Sequence, residues 1–201
     1  MNAPHATING EYVPVSELRE RGVTCGGDDV RVHRSVVIVQ PENLILANHS
    51  RIDPFCIISA TGTIKIGRHV HISGHCSLLG EAGIEIEDFA SISHGVKIFT
   101  AADIHGAHLV GPTVPESYRK VLKAAVRVKR HAAITVGAVL MPGVTVGEGA
   151  VVGPMSFVRR NIPEWTVWVG VPARRIAVRP RNALELGDKL LSESGDESAI
   201  L

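Results

Sequence analysis

The chain has 201 residues and a formal net charge of +1, with 45% hydrophobic residues but only 4% aromatic ones. That length buries a sizeable core in one domain or two, and with so few aromatics Ile, Val, Leu and Ala must build it. No apolar run is long enough to span a bilayer, and the three cysteines have neither CxxC spacing nor an even count to suggest a zinc site or disulfide framework.

MNAPHATING at the N-terminus has no basic segment followed by an apolar one, which argues against a secretory signal and for a cytoplasmic protein. SELRERGV at 16–23 predicts a short helix with Ser16 as its N-cap and Gly22 as a left-handed terminator. It falls within an N-terminal extension at 1–30 and is suited to plug the end of a coil.

From 31 to 176 an aliphatic residue recurs at fixed spacing. Ile66, Ile72 and Leu78 step by six, Ile86 follows after eight, and Ile92 and Ile98 resume the six-residue step. Backwards, the same frame holds Ile58, Ile52, Leu46, Ile38 and Val32; further on it holds Val128, Ile134, Leu140, Val146, Val152 and Val158. Four residues after each aliphatic, octads aside, stands a small one such as Ser50, Cys56, Val70, Cys76, Ala90, Ala132, Ala138 or Ala150. One large and one small inward residue per six describe a flat face and a corner of a three-sided coil, with turns stacked about 4.8 Å apart. Cys56 and Cys76 are twenty residues apart and stack as small core residues.

The segments IVQPENLI, ISATGTIK and LLGEAGIE each carry two extra residues and recur as every third segment, along one edge of the prism. The next segment due at that edge begins at Ile98 and does not rejoin the frame until Val128. The stretch 99–127 is therefore a long loop inserted at a corner that already bulges. Such loops add little closure entropy when their ends are held together, and they are where function concentrates. RNALELGDKLLSES, in the C-terminal part 177–201, has helical leucine spacing, and GDESAIL closes the chain as a mobile tail.

Between Arg119 and Arg181 there are twelve Lys or Arg against two acids, Glu148 and Glu164, an excess of ten charges. Something anionic binds such a surface. Without interleaved aromatics for base stacking, a small phosphorylated ligand fits better than a nucleic acid.

The aliphatic-x-x-x-small-x repeat, the insertion and VGVPARRI together resemble the hexapeptide-repeat acyltransferases, closest to the galactoside and maltose O-acetyltransferases and the sugar N-acetyltransferases of surface-polysaccharide synthesis. The resemblance implies an all-β fold, a left-handed parallel β-helix with short terminal helices and one long inserted loop. The general crossover preference alone would give a right-handed coil. It also implies a homotrimer that uses acetyl-CoA and passes the acyl group to a hydroxyl or amine of a sugar or nucleotide-linked sugar.

In galactoside-type enzymes the catalytic histidine follows the aliphatic residue that opens the insertion. Their register from Ile98 lands on Asp103, with His105 two residues later, making His105 the candidate general base and Asp103 its orienting partner. His108 is a second candidate, and His94 is either a surface histidine facing a trimer neighbour or a substrate contact. His33, His49, His69, His71, His75 and His131 are expected to be single solvent-facing side chains. By match to the family, Arg159, Arg160 and Arg174 lie near the nucleotide of coenzyme A, while Ala138 and Pro154 line its pantetheine arm. Trp165 and Trp168 either stack on adenine or pack over the open end of the coil.

Two other readings remain at this point. The γ-class carbonic anhydrases share the coil, but two of their zinc histidines lie five residues apart, whereas here His71 and His75 are four apart and His105 and His108 three, so no metal site is expected. A non-catalytic scaffold would keep the aliphatic frame and lose the histidines and arginines, which this chain retains.

Overall fold

The computed structural model describes residues 10–106 and 108–194; the segment read as lacking a signal and the GDESAIL tail lie outside them. Those residues wind into a parallel β-helix with three faces. The first face runs from Arg31–His33 through Arg51–Ile52, His71–Ile72, Ser91–Ile92, Ala133–Ile134 and Val151–Val152 to Thr166–Val169. A second face stacks strands from Val37–Val39 to Phe157–Val158, and a third from Thr24–Cys25 to Thr145–Val146. Register follows the aliphatic frame: Ile52, Ile72, Ile92, Ile134 and Val152 form one column, and Ile58, Leu78, Ile98 and Leu140 another.

These columns are buried, as are the small residues four positions on. Cys56 and Cys76 are free thiols in that core, and their Sγ–H groups donate to the carbonyls of Ser73 at 3.2 Å and Ser93 at 3.1 Å. Burial of each Ile or Leu contributes about 1.5–3 kcal/mol, and parallel strands covered on their inner side carry that load without large side chains.

Short antiparallel strands close both edges of the first face, Tyr12–Val13 against Arg31–His33 and Arg174–Val178 against Thr166–Val169. The terminal parallel strands of the first face are thereby paired. Helix α1 (Val15–Glu20) covers the first coil with Leu18. Its start differs from expectation: Pro14 occupies the N-cap position and Ser16 lies inside the first turn without a capping bond. Gly22 does adopt a left-handed φ of 97° just after the helix. At the other end α2 (Ala183–Ser194) packs on the third corner.

At the corners the histidines depart from the expected pattern. On the third corner the residue three after the aliphatic takes a left-handed φ, at His49, His69, Phe89, His131, Gly149 and Trp165. Being in register, their rings stack: His49 on His69 at 4.7 Å, His69 on Phe89 and Phe89 on His131 at 5.1 Å. Trp165 lies across Gly149 and is 2% exposed, so its ring has no free face for an adenine. Left-handed non-glycine residues cost about 1–2 kcal/mol each, and stacking at about 0.5–1.5 kcal/mol per contact offsets this. Elsewhere the buried His33 Nδ1 is 2.7 Å from Ser35 Oγ, His71 Nε2 is 2.8 Å from Asp53, and the His75 ring lies tilted against Phe55 at 5.1 Å. None of the six is a lone solvent-facing ring.

His131 is 6% exposed and its Nε2 has no hydrogen-bond partner among the described residues. A Cβ on Gly187 of α2 would lie 2.5 Å from its Cε1, while Asp188 pairs with Arg130 at 2.7 Å and Arg179 donates to the carbonyls of His131 and Gly149. Burial, and then Arg130 and Arg179, push the His131 imidazole below its usual range. The unfolded chain therefore binds the proton more readily. The contribution of this site is complete above about pH 6.5 and is lost as pH falls below it. In urea unfolding between pH 7.5 and 5, His131→Phe, which copies Phe89 one coil earlier, should show a shallower loss of stability than the native chain.

Candidate active site

The insertion leaves the second corner between Ile98 and Val126, on the edge where the preceding octads bulge. Thr100 anchors the exit: it is buried, its Oγ1 donates to Leu79 O at 2.9 Å and it accepts from Ala82 N–H at 3.0 Å. Ala124 N–H donates back to Thr100 O at 2.9 Å, closing the neck. Beyond the neck, Ala101–Asp103 pairs antiparallel with Val121–Lys123, with Asp103 opposite Val121.

Asp103 ends the outgoing strand and holds the tip. Its Oδ2 accepts from Gly111 N–H at 3.0 Å, and its Oδ1 faces Arg119 Nη1 at 3.6 Å. Two more backbone bonds cross the tip, Ile104 N–H to Lys120 O at 2.7 Å and Leu109 N–H to Tyr118 O at 3.0 Å. His105 and His108 are exposed on the segment that this closure shapes. The Asp103 carboxylate is turned to Gly111 and Arg119. Ile104, Leu109, Val110, Tyr118 and Leu122 give the same hairpin a largely apolar exposed surface.

His94 lies elsewhere. It sits on the first corner, before the strand Lys97–Phe99 of which the insertion is the far end, with its ring over Gly74 and 4.9 Å from that of His75. Within one chain the coil separates His94 from His105 instead of bringing them together. Among the described residues no three His, Cys, Asp or Glu side chains are gathered closely enough to hold a metal ion.

On the last coil Arg159, Arg160 and Arg174 converge on a shallow depression, together with Phe157, Val158, Trp168, Pro172 and Ala173. All three arginines are exposed, and Arg174 Nη1 donates to Ala173 O at 3.1 Å, so their charge is available to an anion. Trp168 is half-buried, with Nε1 donating to Thr166 Oγ1 at 2.9 Å. Ala138 and Pro154 both fall on the first corner. Ala138 is buried, its N–H bonded to Thr135 O and its carbonyl to Lys97 N–H, whereas Pro154 is exposed beside Met155.

No protein-family model matches the chain. A dTDP-4-amino-4,6-dideoxy-D-glucose acyltransferase from Escherichia coli is 32% identical over 177 residues, spanning 87% of this chain and 92% of that one. The chain belongs to the hexapeptide-repeat sugar acyltransferases. Among solved structures, the N-acyltransferase AntD from Bacillus cereus in complex with dTDP and 3-hydroxybutyryl-CoA superposes with a TM-score of 0.88 at 36% identity, over 92% of this chain and 98% of that one. A variant of it bound to dTDP-4-amino-4,6-dideoxyglucose and coenzyme A gives 0.86 at 36%, over 90% and 97%. The coil is thus the left-handed β-helix of these acyltransferases. As a member of the family, the protein is a coenzyme A-dependent acyltransferase.

Proposed function

We propose that this protein transfers an acetyl group from acetyl-CoA to the amine of a dTDP-linked 4-amino-4,6-dideoxy sugar, at sites between the protomers of a cytoplasmic homotrimer. The observation that carries the acceptor is the near full-length match to the Bacillus enzyme bound to that amino sugar and coenzyme A. No described helix is long and apolar enough to cross a membrane. The apolar face of the hairpin suits a neighbouring protomer, which would bring the hairpin of one chain to the first corner of another.

In this reading Arg159, Arg160 and Arg174 bind the phosphates of coenzyme A by charge-assisted bonds. The pantetheine arm then follows the first corner past Pro154 and Ala138 toward His94. The sugar amine attacks the thioester carbonyl, the new C–N bond forms as the C–S bond breaks, and His105 takes the amine proton and returns it to the departing thiolate, which leaves as free coenzyme A thiol. His108 is the second candidate for that proton, and His94 contacts the bound groups from the neighbouring coil.

Ser93 joins Asp103 in this reading through the spacing of the two residues. The Bacillus enzyme has been solved as variants of a serine and of an aspartate ten residues later. In this chain Asp103 is the only aspartate with a serine ten residues before it, Ser93. Nothing in the sequence alone marks Ser93, because one outward serine in a coil carries no signal by itself.

The test is acyl transfer from acetyl-CoA, followed by thiol release, with the dTDP 4-amino sugar and its 4-hydroxy counterpart as acceptors, and 3-hydroxybutyryl-CoA as the alternative donor. Turnover with the amino sugar and acetyl-CoA is expected. Turnover only with the hydroxy sugar, or only with the longer donor, overturns the corresponding half of the reading. No thermal stabilisation by acetyl-CoA at a hundred-fold excess over a micromolar Kd, where about 2.7 kcal/mol is expected, returns the chain to a scaffold role. Arg159→Ala with Arg160→Ala should raise KM for acetyl-CoA about tenfold or more and leave kcat unchanged, the mark of uniform donor binding.

A further inference from the structure

Arg119 is an anomaly in its surroundings. It sits in the hairpin where His105, His108, Leu109, Tyr118 and Leu122 are all exposed, yet its own side chain is only 14% exposed. Its Nη1 lies 3.6 Å from Oδ1 of Asp103, whose side chain is 21% exposed. Both Asp103 Oδ1 and Arg119 Nε are buried and have no hydrogen-bond partner among the described residues. A buried charge is tolerated only opposite another, so each of the two is held in place by the other. Oδ1 is sealed from solvent and so does not meet an acceptor directly. The remaining oxygen, Oδ2, is committed to Gly111 N–H, a bond that ties the end of the outgoing strand to Gly111.

We propose that Arg119 is a positioning residue for acyl transfer: it fixes the Asp103 carboxylate, and through it the closed turn that presents His105. The chain of action is guanidinium to carboxylate, carboxylate to Gly111, and turn to imidazole. Displacing a reacting group by about 1 Å is enough to lower a rate on the order of 100-fold, so loss of a pair buried at the foot of the turn has leverage on the chemistry without touching it. This proposal rests on the reading that His105 works at the reacting centre.

The experiment is steady-state kinetics on Arg119→Ala, Arg119→Lys, Asp103→Asn and the Asp103→Asn/Arg119→Ala double variant, with acetyl-CoA and the amino sugar. Each loss of charge should lower kcat by about tenfold or more with KM for acetyl-CoA unchanged, since the coenzyme arginines stand on the last coil. The double variant should be no slower than Asp103→Asn alone, because the two residues act in one chain. Millimolar guanidinium should restore part of the rate of Arg119→Ala and none of Asp103→Asn, and Arg119→Lys should retain more activity than Arg119→Ala. A wild-type kcat in Arg119→Ala overturns the proposal, as does a double variant whose loss is the product of the two single losses. Full turnover by His105→Ala overturns the base assignment instead, leaving the coupling between Arg119 and Asp103 to be read from the same cycle. If Arg119→Ala does not fold, Arg119→Lys and the double variant carry the comparison.

Discussion

Replacing His105 with alanine should slow acyl transfer by about 10²–10⁴-fold at neutral pH while leaving the affinity for acetyl-CoA unchanged. The attacking amine must shed a proton as the C–N bond forms. Imidazole is the side chain that accepts and releases one near pH 7 without special tuning. His105 stands exposed beside Gly106 on a turn that is closed by Asp103 and Gly111, outside the aliphatic frame and without a packing role. Its loss should therefore be silent in thermal unfolding and visible only in kcat. Added imidazole should restore part of the rate, since the cavity left by alanine opens to solvent. Stopped-flow measurement of thiol release separates chemistry from product release. Unchanged turnover in His105→Ala would mean that the amine loses its proton to water or to another group, with His108 the next to replace.

The solenoid was legible because its physics repeats. An inward aliphatic every six residues, with a small residue at the fourth position beyond it, leaves no other way to bury both, and Ile72, Ile92 and Ile134 stack as that spacing requires. The insertion at Ile98 was legible for the same reason, since the octads mark the loose edge in advance. What periodicity misses lies on the outside of the coil. His49, His69, Phe89, His131 and Trp165 share a register that their chemical diversity conceals, and only the left-handed corner shows that flat rings suit it. Ser93 and Arg119 were invisible for a related reason. Arg119 meets Asp103 only through closure of the loop, and in the proposed reading Ser93 acts across a subunit boundary; no spacing within a coil encodes either. The arginines form the intermediate case: resemblance singled out Arg159, Arg160 and Arg174, and the fold of the last coil brings them round one depression.

Ile92→Ala should destabilise the chain by about 2–5 kcal/mol, against a total that for domains is typically about 5–15 kcal/mol. Ile92 is wholly buried, with Ile72 above it and Ile134 below in the same column. Those neighbours are fixed by backbone ladders on both sides: Ser73 N–H bonds to Ile92 O, and Ser93 N–H to Ile134 O. A stacked coil cannot close a gap without breaking its own register, so the cavity persists and the penalty lies toward the upper part of the range. Ile92→Val, which removes one methylene, should lose only about 0.5–1.5 kcal/mol. Lys97→Ala, an exposed position one strand later, should change stability by no more than about 0.5 kcal/mol. Urea titrations should show the midpoint falling in that order at constant m, because the surface exposed on unfolding hardly changes. Each coil touches only its neighbours, and Ile92 is followed directly by Ser93 and His94. The alanine variant should therefore also lose turnover at temperatures where it remains folded, through looser placement of those two side chains. A loss below about 1 kcal/mol would mean that the coils slide to fill the gap, and that the column is not the rigid support on which the proposed site at its corner depends.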